Sequence, residues 1–207
     1  MLLLPMLYLP PVSYMALLSA GGEVKIEAQE NYIKSTYRNR CEIMGANGII
    51  ELSIPLVGGR DHHQSYSDTQ IAYTSDWQHR HRMSILSCYG SAPFFEHYMP
   101  YFEPFYEKQY THLFEFNKEL LQLLIRLMKL EVKLSYTDAY EAAPIGMTDY
   151  RKSFKPGVAI DNIQSVPYMH VFEGIDTSLN LSAIDLLFNE GPHSKEILRQ
   201  MVFRDKD

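Results

Sequence analysis

Residues 1–28 read MLLLPMLYLPPVSYMALLSAGGEVKIEA, and their patterning decides the fold. An apolar run over residues 1–4 ends at Pro5, the pattern of a buried strand that gives way to a loop. Pro11 suits the first turn of a helix whose buried side comes from Val12, Met15, Ala16, Leu17 and Leu18, and Gly21 and Gly22 stop it. Residues 23–28 alternate, with Val24, Ile26 and Ala28 on one side, as a second strand does. Strand, helix and strand in so short a span make a βαβ unit, whose strands lie parallel through a right-handed crossover. The expected fold class is α/β, with a mixed, largely parallel sheet grown from this N-terminal unit and packed helices in the C-terminal half.

Open sheets of this kind collect ligands at the carboxyl ends of their strands. That edge receives Tyr8 and the segment after the second strand, residues 31–41, NYIKSTYRNRC. There Lys34, Arg38 and Arg40 stand among Tyr32, Tyr37 and Asn39, a cationic and aromatic cluster in an otherwise acidic chain. The plainer alternative is a solvated turn whose arginines make surface pairs. Further on, Asn47-Gly48 is a turn signal before an alternating strand over residues 49–57. A polar loop over 58–68 carries His62 and His63 with no zinc-motif spacing, so no metal centre is expected. Residues 69–74 read as another strand.

Residues 75–95, SDWQHRHRMSILSCYGSAPFF, open as a helix, with Ser75 and Gln78 three apart in a capping box and Gly90 and Pro93 closing it. Trp77, His81, Ile85 and Cys88 or Tyr89 recur at helical spacing on one face. An aromatic stretch over 94–110 suggests a helix interrupted by Pro100 and Pro104. Asn117 is placed to cap a long, mostly buried helix to about residue 130. A strand over 132–137 precedes a long loop, 138–162, that could be a lid or a plain excursion. Residues 166–172, with His170, resemble a last short strand. The segment 181–190 is a helix capped by Ser182, with Asp185 favourable to its dipole, and a short helix from Ser194 follows.

At 207 residues the chain can bury one core, and residues 1–207 are expected to form one domain: an α/β part to about 75, a helix-rich part from about 76. A net charge of −6 argues against non-specific nucleic-acid binding, which needs an excess of Lys and Arg over one face. Two cysteines, Cys41 and Cys88, do not make a disulfide scaffold and fit a reducing compartment. The first twenty residues hold no Lys or Arg and are broken by Pro5, Pro10 and Pro11, unlike a secretory signal, and no stretch is apolar enough to span a membrane. A cytoplasmic location is expected.

The chain resembles the WbqC-like family of bacterial proteins over most of its length. The resemblance is carried by Leu4-Pro5 with Tyr8, Pro10, Pro11 and Tyr14, and by Tyr37-Arg38-Asn39-Arg40-Cys41 with Asn47-Gly48 and Leu52-Ser53-Ile54-Pro55. It continues through Trp77, His81, Ile85, Tyr89, Ser91, Pro93, Phe94 and Phe95, and then Leu181-Ser182 with residues 184–192. It implies a role beside genes of O-antigen or other surface-polysaccharide biosynthesis, where attachment of an amino acid such as glycine to a sugar has been proposed. Two departures stand out: Leu4 or Met6 lies where many relatives open with Gln, and His170 stands where Gln usually precedes Val171-Phe172.

Physical chemistry allows His81 two roles, general acid or base near neutral pH or a packed histidine making one hydrogen bond. Arg38 and Arg40 suit a clamp on phosphate or carboxylate, since guanidinium binds such groups bidentately. Asp185 is more simply a helix-terminus charge, and Cys41 a small buried residue. No GxSxG, phosphate-loop or zinc signature occurs. The expectation is a transferase of surface-glycan assembly with a sugar or activated donor as ligand. In it His81 and Arg40 are catalytic, Arg38 helps hold an anionic donor or nucleotide sugar, and Tyr8, Tyr37, Asn39, Trp77, Tyr89 and His170 contact substrate. The alternative is a non-catalytic binding or adaptor protein of the same pathway. These residues name no cofactor and no oligomeric state.

Overall fold

The computed structural model describes residues 1–58, 64–158, 160, 162–172 and 180–202. Strand β1 (Leu2–Pro5), helix α1 (Val12–Ser19) and strand β2 (Glu23–Glu27) form the expected βαβ unit, with Leu4 registered on Ile26 in a parallel pair. Strands β3 (Arg40–Gly45) and β4 (Gly48–Ser53) form a separate antiparallel hairpin. Three helices follow: α2 (Trp77–Tyr89), α3 (Phe95–Glu107) and α4 (Leu113–Leu127). Strands β5 (Lys133–Tyr136) and β6 (Thr148–Asp149) return to flank the first pair, giving a parallel sheet in the order β5-β2-β1-β6. Helices α5 (Ala183–Glu190) and α6 (Ser194–Met201) end the described chain.

All eight residues of α1 are buried, because α1 packs against both α5 and α6 as well as following the sheet. This explains its lack of a polar face. One continuous set of buried apolar side chains runs from Leu4 and Ile26 in the sheet through Trp77 and Phe102 to Leu187 and Leu198.

Several local expectations change. Helix α3 runs unbroken through Pro100 and Pro104; both prolines lie four apart on its exposed side, where the carbonyls they leave unbonded meet water. Asn117 is inside α4 and fully buried, not its cap: its amide donates to the Arg38 carbonyl and the Tyr66 hydroxyl, both at 2.7 Å. The α2 cap is Asp76, which accepts from the His79 amide, while Gln78 donates to the carbonyls of Phe105 and Lys108. Residues 69–74 and 166–172 are not strands. The first makes only isolated bridges, Ile71 to Leu56 and Gln70 to His112. The second is fastened to α5 by side chains. The hairpin turn is Ala46-Asn47, and Gly48, at φ +118°, already pairs with Gly45. The described residues of the expected loop over 138–162 are irregular except for β6. His62 and His63 lie outside the described residues.

Candidate functional site

At the carboxyl edge of the sheet, where a ligand was expected, the chain places ion pairs. Glu27, the last residue of β2, is fully buried and accepts from Arg151 Nη1 at 2.9 Å, from Thr137 Oγ1 at 2.6 Å and from the Gln29 amide at 2.8 Å. The Arg151 guanidinium also grips Asp149 through Nε and Nη2. Beside it Arg38, also fully buried, donates through Nε and Nη2 to Glu30 at 2.8 and 2.6 Å, and through Nη1 to Thr36. Burial holds the Glu30 carboxyl above its usual range in spite of that partner. Arg38 is thus spent inside the protein.

Arg40, two residues on, points elsewhere: its Nη1 meets Glu51 across the hairpin at 2.8 Å with both side chains partly in solvent. The two arginines do not form a clamp: Arg38 lies in the turn before β3 and folds inward on Glu30, while Arg40 opens the strand and reaches Glu51, so strand alternation does not set them side by side. Asn39 between them is buried, its amide donating to the Ile54 carbonyl and its oxygen accepting from Tyr32.

The α2 face assembles as read, but inward. Trp77 and Tyr8 pack on the His81 ring, Phe116 packs on both of them, and the Tyr8 hydroxyl lies 2.9 Å from His81 Nδ1 and 3.1 Å from the Tyr106 hydroxyl. Burial lowers the His81 pKa to about 4, against a hydrogen bond to the Ser53 backbone that favours the cation. The neutral ring gives its proton to that carbonyl, so Nδ1 accepts from Tyr8. Burial likewise pushes the Tyr8 hydroxyl well above its ordinary value. This cluster is buried, the Tyr8 and Tyr106 hydroxyls and His81 Nδ1 bonded to one another, and Arg38, Arg40 and His81 do not converge.

An open cavity of about 660 Å³ lies instead where the chain leaving β1 turns into α1, bounded by the β3–β4 hairpin, by residues 157, 158, 160, 163–165 and 168, and by the lead into α5. Its wall carries Ser13, Tyr37, Glu42, Gln164, Tyr168 and Asn180 among Val12, Ile49 and Ile163. The Tyr37 hydroxyl donates to Glu42 Oε2 at 2.6 Å, and burial with that carboxylate raises its pKa far above 10.0. Backbone bonds from Tyr8 to Tyr37, Val12 to Leu181 and Ser182 to Glu42 tie these segments together. Behind Tyr168 sits Asp185, 1% exposed, which accepts the Tyr168 hydroxyl on Oδ1 at 2.9 Å and the Tyr89 hydroxyl on Oδ2 at 2.8 Å. His170 Nδ1 is 3.0 Å from the same Oδ1 but off the hydrogen-bonding direction, and among the described residues neither ring nitrogen makes a hydrogen bond. Asp185 is a buried hub rather than a dipole charge.

Of the residues singled out in the sequence, the structure brings Tyr37 to the cavity and Tyr89 and His170 to the hub behind it. It gathers Tyr8, Trp77 and His81 in the closed cluster and leaves Arg38, Asn39 and Arg40 in hydrogen bonds of their own. Among the described residues no group of three or more His, Cys, Asp or Glu is placed to hold a metal ion. No helix among them is long and apolar enough to cross a membrane.

The sequence model of the WbqC-like protein family matches residues 6–153. The chain belongs to that family. It is 25% identical to Uncharacterized protein Rv1507c of Mycobacterium tuberculosis over 222 residues, covering 93% of this chain and 94% of that one. No solved structure matches it. The matched WbqC-like region includes Val12, Ser13, Tyr37, Glu42 and Ile49 of the cavity wall, while Gln164, Tyr168 and Asn180 lie past it.

Sequence reading of this WbqC-like chain passed over Glu42, Ser13, Asn180, Glu27, Glu30 and Arg151. A faint signal existed for Glu42: it sits five residues from Tyr37, immediately after the segment 31–41 at the sheet edge. Asn180 and Ser13 are 167 residues apart and meet only through folding, with Asn180 donating to Ser13 Oγ at 2.8 Å.

Proposed function

We propose that this WbqC-like protein is a transferase of bacterial surface-polysaccharide biosynthesis, of the kind that attaches a small group such as an amino acid to a sugar, and that the cavity over Tyr37 and Glu42 holds the sugar. Family membership supports the pathway. The observation that carries the site is the Tyr37–Glu42 pair, a 2.6 Å hydrogen bond on the wall of a cavity large enough for a monosaccharide or two. Tyrosine faces and aliphatic walls suit the C–H surface of a sugar ring, and carboxylate and amide groups suit its hydroxyls.

Glu42 is half-buried and keeps one oxygen, Oε1, outside the Tyr37 bond, so it can take the proton of an acceptor hydroxyl or amine as that atom bonds to the activated carbon of the donor and the donor's leaving group departs with the electrons of the broken bond. Proton transfer is therefore assigned to Glu42 rather than His81, whose ring is sealed among aromatics and neutral. Arg40 remains a supporting charge, bonded to Glu51, which stands directly across the hairpin from Glu42.

The test is mass spectrometry of the polysaccharide from a strain whose only copy carries Glu42→Gln, with the fold verified by thermal melting. The expected polymer lacks the same substituent as that of a deletion strain. A normal polymer from Glu42→Gln alongside a defective one from the deletion would reject catalysis by Glu42 and leave a non-catalytic binding role.

A further inference from the structure

Protons and charges on the cavity wall restrict what can be bound there. Glu42 is the one charged side chain that lines it among the described residues; no Arg, Lys or His does. The neighbouring Glu51 charge is offset by Arg40 at 2.8 Å, which leaves the carboxylate of Glu42 without a cationic partner in these bonds. The hydroxyl protons of Tyr37 and Tyr168 are committed to Glu42 and Asp185. The Gln164 amide donates to the Gln200 carbonyl, and Asn180 is engaged with Ser13 through both its oxygen and its nitrogen.

What remains is weighted towards acceptors. Tyr37 Oη, Tyr168 Oη, Gln164 Oε1 and Glu42 Oε1 keep lone pairs, while the Ser13 hydroxyl and the second amide hydrogens of Gln164 and Asn180 are neutral donors, as any serine hydroxyl of the wall is. A phosphate or carboxylate would meet Glu42 with no compensating cation among the described residues, which is costly in a partly desolvated site. An ammonium is the complement: three donors, no acceptor and a positive charge.

Resting on the reading of this cavity as the sugar site, we infer that the ligand end held against Glu42 carries a primary amine, from an amino sugar or from an amino-acid derivative, and that phosphate groups of any donor stay outside. What supports this is the Glu42 carboxylate on a wall that carries no cation among the described residues, shared with Tyr37 and Tyr168, whose hydroxyl protons go to Glu42 and Asp185.

The test is calorimetric titration of the full-length protein at neutral pH and low salt with D-glucosamine, glycinamide, N-acetyl-D-glucosamine and glucose 1-phosphate. At least one of the two amines is expected to bind tenfold or more tighter than N-acetyl-D-glucosamine, with glucose 1-phosphate weakest; which amine it is distinguishes the sugar source from the amino-acid source. Glu42→Gln is expected to erase that preference. N-acetyl-D-glucosamine or glucose 1-phosphate binding as tightly as the amines overturns the inference, as does a preference that survives Glu42→Gln. In either case Ile163→Trp, which fills the cavity, separates the two readings: if it abolishes the binding seen, the cavity remains the sugar site and only the amine is wrong. If none of the four probes binds, the amine is wrong and the sugar site has lost its support with it.

Discussion

Arg38 and Arg40 lie two residues apart and live in opposite dielectric surroundings, so their replacements are expected to do different things. Arg38 is 0% exposed in its side chain and Glu30 4%, so removing the guanidinium strands a buried carboxylate. Arg38→Met is expected to cost about 3–5 kcal/mol in urea unfolding, the scale for breaking a buried pair. Arg40→Ala, opposite a Glu51 that is 43% exposed, should cost under about 1 kcal/mol. Equal losses would mean that Arg38 is less enclosed than it is described to be. His81 gives a pH signature. Its folded pKa of about 4 lies below the ordinary 6.5, so as pH falls between those values the unfolded chain takes up a proton that the folded chain refuses. Stability should therefore fall on acidification through that window and be insensitive to this residue at higher pH. At about 1.4 kcal/mol per pH unit the full difference is about 3 kcal/mol. Urea midpoints from pH 7 to 4 should decline less steeply in His81→Gln than in the native chain; parallel curves would show that His81 titrates normally.

At the level of elements, what a local pattern could specify was legible and what required a distant partner was not. The βαβ unit was readable because Pro5, Pro11, Gly21 and the alternation of Val24 and Ile26 are all near neighbours. Residues 166–172 look like a strand by composition, yet no strand receives them: Tyr168 and His170 reach Asp185 of α5, and the Met169 amide donates to Glu190 at 2.8 Å. Nothing in the spacing of Asp185 announces this, since a helix-end charge and a buried acceptor for two tyrosines look alike in one dimension. Helix α5 therefore acts as the anchor of the segment that walls the cavity. Asp185→Ala removes two hydroxyl-to-carboxylate bonds, each worth roughly 1.5–3 kcal/mol, and should destabilise the fold by about 3 kcal/mol or more. It should also speed amide exchange selectively across 164–170, with β1 and β2 unchanged. Exchange that stays slow there would show that the segment is held by other contacts.

Across the whole molecule, the sheet edge predicted from topology is the right neighbourhood, but its immediate volume is filled by Glu27, Arg151, Asp149, Arg38 and Glu30, while the open space lies where α1 begins. A sequence shows that arginines and carboxylates are present; it does not show which of them neutralise one another, and so the charges that looked available were the ones already used. Among the described residues Glu42, an unremarked strand residue, is the charged side chain left facing the cavity. This division of labour makes a separation-of-function experiment decisive. Arg151 joins the segment before the cavity wall to the end of β2 with side chains 3% and 1% exposed, so Arg151→Met should lower stability by about 3–5 kcal/mol. At a temperature where the variant is still folded, its affinity for a cavity ligand should stay within about twofold of native, because no atom of Arg151 lines the wall. Glu42→Gln should behave inversely, with a melting curve close to native and lost affinity. If Arg151→Met instead abolishes binding while leaving the melting curve in place, the ligand sits among the ion pairs at the strand ends, and the cavity beside α1 is not the site.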